Sequence, residues 1–217
     1  MQWPLIIGSA ALSVWLIGTI VRIFDRQFEI VEQSKNGQLR LLYSLLRLME
    51  SSPPGLIGTK LKLQFCRYIS LAFSELQAKH GANAGYRACV DTAEAQIEIL
   101  KGRAAQDHLP RFQDAERISE GHKALPRFQA IVEQLEQMNV ISAEDSQQFA
   151  LELRDRQFEL EADTCLLRAE RAAKLNDPMS AQRHFMSAQM SLRQLKSATV
   201  KNVRLAQLEQ SLAAFQR

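Results

Sequence analysis

The sequence predicts an all-α protein in which a single N-terminal transmembrane helix is followed by a cytoplasmic bundle of several helices. Three observations support this prediction. An apolar stretch near the N-terminus is long enough to cross a bilayer. The remainder of the 217-residue chain repeats apolar residues at the three- and four-residue spacing of amphipathic helices. Segments rich in Pro, Gly and Asn divide that pattern into separate helices.

The predicted membrane helix covers residues 5–24, and Arg22 is the first charged residue in it. At a rise of about 1.5 Å per residue this stretch spans roughly 30 Å, the hydrocarbon thickness of a bilayer. Trp3 precedes the stretch at the depth of the lipid headgroups, where amphipathic rings are common. The residues that define the anchor are Trp3, Leu5, Trp15, Ile20 and Arg22.

Two alternatives for this stretch are a cleaved signal peptide and a helix buried in a soluble domain. The signal peptide is disfavoured because the basic n-region is missing and the apolar run is long. Lys and Arg residues follow the span, whereas none precedes it. Because basic residues stay on the cytoplasmic side, we expect an inner-membrane protein with its N-terminus outside and most of the chain in the cytoplasm.

The charge and the cysteine content argue against a nucleic-acid-binding protein and against a disulfide-stabilised one. The chain has 27 basic and 24 acidic residues, and the net charge of +3 is too small to indicate nucleic-acid binding. Residues 1–80 carry a net +4, so the positive excess lies beside the predicted membrane. The three cysteines, Cys66, Cys89 and Cys165, are widely spaced and fit small core residues in a reducing compartment.

The first two cytoplasmic helices are predicted over residues 25–50 and 59–79, as a hairpin around Pro53 and Pro54. Residues 39–49 have a wide leucine face, which either packs into the core or lies on the membrane surface; we favour the core. The membrane alternative depends on basic residues that could bind anionic lipid. These residues are Arg40, Arg47, Lys60, Lys62 and Arg67.

A third helix is predicted over residues 84–105, followed by a loose region. The five-residue sequence beginning at Leu109 recurs at Leu125, and in each copy Pro occupies the place of a first helical residue. We therefore expect a short helix over residues 111–118, a break at Gly121 and a new helix from Pro126 to residue 138.

Ser142 and Asp145 form a capping sequence, which predicts a long helix over residues 142–175. Asp177 and Pro178 end it, and two helices follow over residues 179–195 and 199–215. The mixed charges of the long helix are typical of a solvated face; they are Arg154, Asp155, Arg156, Glu159, Glu161 and Asp163. The predicted units are residues 1–24 (anchor), 25–138 (helical bundle) and 139–217 (C-terminal helices).

The helices on either side of Pro178 resemble one tetratricopeptide-type hairpin. The second helix carries Ala181, Phe185 and Ala188, the spacing at which small residues let two helices approach. The resemblance covers about 34 residues, and Ala172 stands where the family has an aromatic residue. It implies a helical surface that grips a peptide or a protein, and it supplies no catalytic residue.

No sequence motif predicts a catalytic, cofactor or metal site. The glycines do not form a phosphate-binding loop, and the chain lacks H-E-x-x-H, G-x-S-x-G and E-x-x-H. We therefore expect no enzyme activity, no cofactor and no bound metal, and we expect no nucleic-acid partner.

The function that these observations favour is that of a single-pass membrane adaptor, or accessory subunit of a membrane complex, that binds other proteins. Its expected partner-binding residues are Arg168, Arg171, Arg183 and a groove at Phe185. The alternative is a sensor or remodelling protein of the membrane surface that binds anionic lipid. The identity of the partner and the oligomeric state are left open by the sequence.

Overall fold

The computed structural model describes residues 37–81, 83–101 and 111–215, and within these ranges the chain is all-α. Seven helices follow one another there, with no strand between them. They are α1 (Gly37–Ser51), α2 (Thr59–His80), α3 (Ala84–Lys101), α4 (Ala115–Gln137), α5 (Ala143–Lys174), α6 (Pro178–Arg193) and α7 (Ala198–Phe215).

The membrane helix predicted over residues 5–24 lies outside the described residues, as do its anchor positions. None of the seven described helices is both long enough and apolar enough to span a bilayer.

Two hydrophobic clusters share α5. The first cluster joins α1–α4 to the N-terminal half of α5, and Leu160 is its last member on that helix. At its centre the ring of Phe65 lies 6.1 Å from that of Phe128 and 5.2 Å from that of Phe149. The second cluster begins at Ala162 and joins the C-terminal half of α5 to α6 and α7. The 32-residue helix α5 therefore links the two halves of the bundle.

Helix α1 packs into the first cluster, as the sequence predicted. Its main neighbour is α4, and its contact with α2 across the Pro53–Pro54 turn is smaller. The two helices of the predicted hairpin therefore pack on each other only slightly, and α2 packs chiefly against α3. The buried side chains of α1 are Leu39, Leu42, Leu45, Leu46 and Leu48.

Helix α4 is one continuous helix, so the predicted break at Gly121 and the predicted new start at Pro126 are wrong. Gly and Pro each disfavour a helix interior, by about 1 and 3 kcal/mol. Burial of each large apolar side chain contributes about 1.5–3 kcal/mol, and six such residues of α4 are buried, on both sides of Pro126. Tertiary packing therefore outweighs the local preference. Pro126 is exposed, as is His122, whose carbonyl loses its helical partner.

Gly121 has a packing role in the middle of α4. A β-carbon at this position would lie 3.0 Å from a methyl carbon of Leu160 and 3.0 Å from one of Leu56. Both leucines are completely buried. The missing side chain thus allows α4 to approach α5 and the loop between α1 and α2.

The turn between α5 and α6 follows the predicted end signals. Asn176 adopts the left-handed conformation with φ of 56°, which short polar side chains tolerate. The carboxylate of Asp177 accepts a hydrogen bond from the backbone N–H of Ser180 at 3.0 Å, and Pro178 is the first residue of α6. The long helix before the turn matches its predicted length to within a residue at each end.

Helix α6 packs along α5 more extensively than any other pair of described helices pack on each other. The small side chains that permit this approach are fully buried at Ala169, Ala181 and Ala188 and nearly so at Ala172. Phe185 fills the space beside them. The helical hairpin and the burial of its alanines are thus confirmed.

Candidate functional site

A cluster of buried charges lies where the two hydrophobic clusters meet. Arg156, Glu159 and Asp163 occupy one face of α5, and Arg204 reaches them from α7. At most 5% of each residue is exposed. The prediction that the charges of this helix are solvated is therefore wrong for these three α5 residues, although it holds for Arg154, which is exposed.

Arg156 connects α5 to the loop between α1 and α2. Its Nε donates to the carbonyl of Leu56 at 2.9 Å, and its Nη2 donates to the carbonyl of Gly55 at 2.8 Å. Its Nη1 donates to the carboxylate of Glu159. The guanidinium also lies 4.9 Å from the ring centroid of Phe112, a favourable cation–π distance.

Asp163 connects α5 to α7 and to the segment before α4. Its carboxylate accepts a hydrogen bond from Nη2 of Arg204 and another, at 3.0 Å, from the backbone N–H of Phe112. Nε of Arg111 lies 3.9 Å from the same carboxylate, and Nη2 of Arg111 donates to Glu170 at 2.7 Å. One buried carboxylate thus fixes three segments of the chain.

Burial raises the pKa of the Glu159 carboxyl, while the guanidinium groups of Arg156 and Arg204 oppose that shift. Burial likewise lowers the pKa of Arg156, and Glu159 opposes it. The Glu159 carboxyl therefore depends on its guanidinium partners to stay ionised, whereas the Arg156 guanidinium stays charged in any case. Removing one member would leave the other uncompensated, which costs far more than the intact pair contributes. This arrangement indicates a role in fixing the register of the helices.

A cavity of about 440 Å³ adjoins the cluster, between the start of α2, the middle of α5 and the start of α7. Its polar wall includes Asp155, Arg156 and Glu159. Asp155 accepts hydrogen bonds from the backbone N–H groups of Lys196 and Ser197, at 2.9 Å each. These wall groups already have partners in the protein. A reacting or ligand-binding role for them would first require a pair to break.

Metal-ligand geometry is missing from the part of the chain that the structure describes. No group of three or more His, Cys, Asp or Glu side chains in residues 37–81, 83–101 and 111–215 could hold a metal ion. The three cysteines are free thiols; Cys66 and Cys89 are buried, as predicted, whereas Cys165 is half-buried. Burial raises the pKa of Cys66 to about 11 and that of Cys89 to about 12, so neither is a reactive thiolate near neutral pH.

Two of the predicted partner-binding residues line one groove. Arg168 and Arg171 are exposed on α5 and border a depression of about 290 Å³ between α4 and α5. Ile118 and Leu167 supply its apolar floor. His122 lies on the opposite rim, with its Nε2 3.1 Å from Oγ1 of Thr164. The groove combines apolar lining with two guanidinium groups, which suits an acidic amphipathic ligand.

The other two predicted residues are separated from this groove. Arg183 is exposed on α6 and does not line the groove. Phe185 is only 4% exposed, and its ring centroid lies 5.6 Å from that of Phe215 on α7. The space beside Phe185 is therefore filled by the chain's own last helix. The sequence predicted helix α7 but not its packing against Phe185.

A stripe of exposed methionines on α6 was not singled out from the sequence. The methionine stripe consists of Met179, Met186 and Met190, which are 63%, 59% and 66% exposed. Leu175, in the turn before α6, is 80% exposed. The spacing of i, i+7 and i+11 in the sequence places the three methionines on one helix face, so periodicity alone could have found them.

The residues of the lipid-binding alternative are distributed over α1 and α2. Arg40, Arg47, Lys60 and Arg67 are exposed, whereas Lys62 is half-buried, and burial lowers its pKa. The leucine face of α1 is enclosed in the core. A surface-lying α1 would therefore have to leave that core before its apolar side chains reached lipid.

Known proteins provide no match to this chain. No family model, no curated protein and no solved structure is significantly similar to it. The tetratricopeptide resemblance of the α5–α6 hairpin thus finds no support in these comparisons.

Proposed function

We propose that this protein is a non-enzymatic membrane adaptor, or an accessory subunit of a membrane complex, that binds partner proteins through its C-terminal helices. In this proposal residues 5–24 anchor the chain in the cell membrane, with the N-terminus outside and the helical bundle in the cytoplasm. The tetratricopeptide-like hairpin of α5 and α6 presents the binding surface.

The observation that carries the proposal is the exposed surface of α5 and α6. Four of the eight large apolar side chains that are prominently exposed in the described residues lie between Leu175 and Met190. A cluster of exposed apolar residues on an otherwise polar surface is typical of a protein-binding site. Arg168, Arg171 and Arg183 are exposed on the same two helices, and Arg is enriched at protein interfaces.

The buried charges support a binding role over a catalytic one. Arg156, Glu159 and Asp163 hold the two halves of the bundle together and point their polar atoms at each other or at backbone groups. A rigid scaffold of this kind keeps the surface of α5 and α6 in a fixed shape, which lowers the entropic cost of binding a partner.

The test is affinity purification of the full-length protein from its native membrane in a mild detergent. A stoichiometric partner should be retained by the wild type and lost from the triple variant with Met179→Gln, Met186→Gln and Met190→Gln. The matched control carries Leu71→Gln, an exposed apolar residue of α2. A variant lacking residues 1–24 should lose membrane association and retain the partner in solution.

Two outcomes would contradict the proposal. One is that no protein is retained in stoichiometric amount by the wild type. The other is that the same protein is retained equally by the wild type and the triple variant, which would place the partner site elsewhere on the chain.

A further inference from the structure

We propose that the methionine stripe of α6 binds an acidic amphipathic helix of the partner protein. This inference rests on the proposed adaptor function and specifies the chemistry of the partner. Helix-in-groove binding of this kind uses an apolar stripe for affinity and flanking charges for orientation.

The stripe lies on the side of α6 that faces away from its buried face, about 150° from the centre of that face in the helical projection. At about 100° per residue, Met179, Met186 and Met190 fall within about 20° of one line that runs along roughly 16 Å of the helix. The residues on the buried face are Ala181, Phe185, Ala188 and Leu192. Three to four turns of a second helix could therefore lie along the stripe without disturbing the packing of α6 on α5.

Arginines flank the stripe on both sides. Arg183 and Arg193 lie about 40° to either side of Met179 in the helical projection, and both are exposed. Their guanidinium groups can each take a carboxylate in a bidentate geometry. A partner helix with acidic residues on both flanks of its apolar face would match this pattern along its length.

The surrounding chain is strongly basic. Residues 171–208 contain seven Lys or Arg residues, of which Arg204 is buried and paired with Asp163, and one acidic residue, Asp177. That carboxylate already caps α6, because it accepts the backbone N–H of Ser180 at 3.0 Å. Hydrogen bonds from Ser180 hold the pKa of Asp177 below its usual value. The Asp177 carboxylate also attracts Arg183. No other acidic residue of this segment offsets the positive charge beside the stripe, so a complementary partner would supply further carboxylates.

Two other occupants fit the surface less well. A second copy of the chain would pair α6 with α6 across a two-fold axis, which would place Arg183 and Arg193 opposite equally basic surface. A membrane would favour Trp, Phe or Leu on the inserted face, whereas this stripe has methionines alone, and Arg183 and Arg193 flank it on both sides. Methionine side chains adapt their shape to a partner surface and are common at protein-binding sites.

The test uses the full-length protein in phosphatidylcholine nanodiscs, with empty nanodiscs as the blank. The probe is a fluorescent helical peptide of about 18 residues, with Leu on one face and Glu on both flanks, measured by fluorescence anisotropy. A control peptide carries Lys in place of every Glu. We expect saturable binding of the acidic peptide that weakens with added salt, and no binding of the control peptide up to about 1 mM.

Three variants make the result specific. The double variant Arg183→Glu/Arg193→Glu and the triple methionine-to-glutamine variant should each weaken binding of the acidic peptide at least about tenfold. The Leu71→Gln control should bind as the wild type does. Equal binding of both peptides, or a failure of the acidic peptide to bind, would overturn the inference.

Two results would show that the methionine stripe binds something other than a partner helix. Self-association that the triple variant abolishes would assign the stripe to a second copy, and binding to phosphatidylserine vesicles that the arginine variant abolishes would assign it to lipid. If affinity purification finds a partner that requires the methionines while the acidic peptide does not bind, the adaptor function stands and only the chemistry proposed for the partner is wrong.

Discussion

Replacement of Asp163 by alanine should destabilise the fold far more than the loss of an exposed carboxylate. The side chain is fully buried and accepts hydrogen bonds from Arg204 and from the backbone N–H of Phe112. Removing one partner of a buried ion pair costs about 3–5 kcal/mol. Here Arg204 would be left with Gln207 and the nearby charge of Glu159, and the N–H of Phe112 would lose its acceptor. For a bundle of this size that cost corresponds to a fall in Tm of about 6–20 °C.

Removal of the other partner, Arg204, should cost less free energy of unfolding. In Arg204→Met the carboxylate of Asp163 keeps the N–H of Phe112 and has Nε of Arg111 at 3.9 Å, so we expect a loss of about 1–3 kcal/mol. The double variant Asp163→Ala/Arg204→Met should lose less than the two single losses added together, since no stranded charge remains.

Urea denaturation of the full-length protein, followed by circular dichroism, measures these free energies of unfolding. Asp91→Ala, at an exposed position of α3, is the control and should lie within about 0.5 kcal/mol of the wild type. An Asp163→Ala variant as stable as this control would refute the reasoning, as would strict additivity in the double variant.

Three further predictions concern single sites. Gly121→Ala should lose about 1 kcal/mol in the same unfolding assay, since the added β-carbon meets two buried leucines at 3.0 Å, and the helix-propensity gain offsets only part of that crowding. Hydrogen bonds from Ser142 and Tyr68 lower the pKa of Asp145. The stability that these bonds give the folded state is therefore present above pH 3.8 and is lost as the pH falls through the lowered pKa. In paired unfolding curves Tyr68→Phe should cost about 1 kcal/mol at pH 7 and less below pH 3.8. Cys89, with a pKa of about 12 and no exposed surface, should resist iodoacetamide at pH 8 until urea unfolds the protein, and rapid alkylation of the native chain, detected by mass spectrometry, would contradict its burial.

Most of the helical pattern was predictable because it depends on local chemistry. Ser142 and Asp177 cap α5 and α6 through hydrogen bonds that span three residues, and the sequence shows such pairs directly. The break expected in α4 was wrong because Gly121 and Pro126 are judged locally as helix breakers, whereas the packing that keeps the helix intact comes from residues distant in the chain.

The buried charges show the same limit at longer range. Asp163 and Arg204 are 41 residues apart, and Arg156 contacts a carbonyl 100 residues earlier. A charged residue of α5 has the same local sequence pattern whether it faces water or a partner distant in the chain. Helix periodicity therefore assigned all the charged residues of α5 to the solvent.

The candidate site was predicted in part. Exposed positions for Arg168, Arg171 and Arg183 followed from helix periodicity. The burial of Phe185 could not be predicted in this way, because it depends on a contact with Phe215, which is 30 residues later on α7. The methionine stripe was visible in the spacing of the sequence, but only the structure shows that no described helix covers it.

Site-specific photo-crosslinking in the native membrane would test the central claim most directly. A benzophenone side chain at Met186 of the full-length protein should form one dominant crosslink to a single other protein, and Arg183→Glu/Arg193→Glu in the same chain should reduce its yield strongly. The same group at Gln96, an exposed position of α3, should give no such product. Equal crosslinking from both positions, or only to lipid or to a second copy of the chain, would contradict a partner-binding surface on α6.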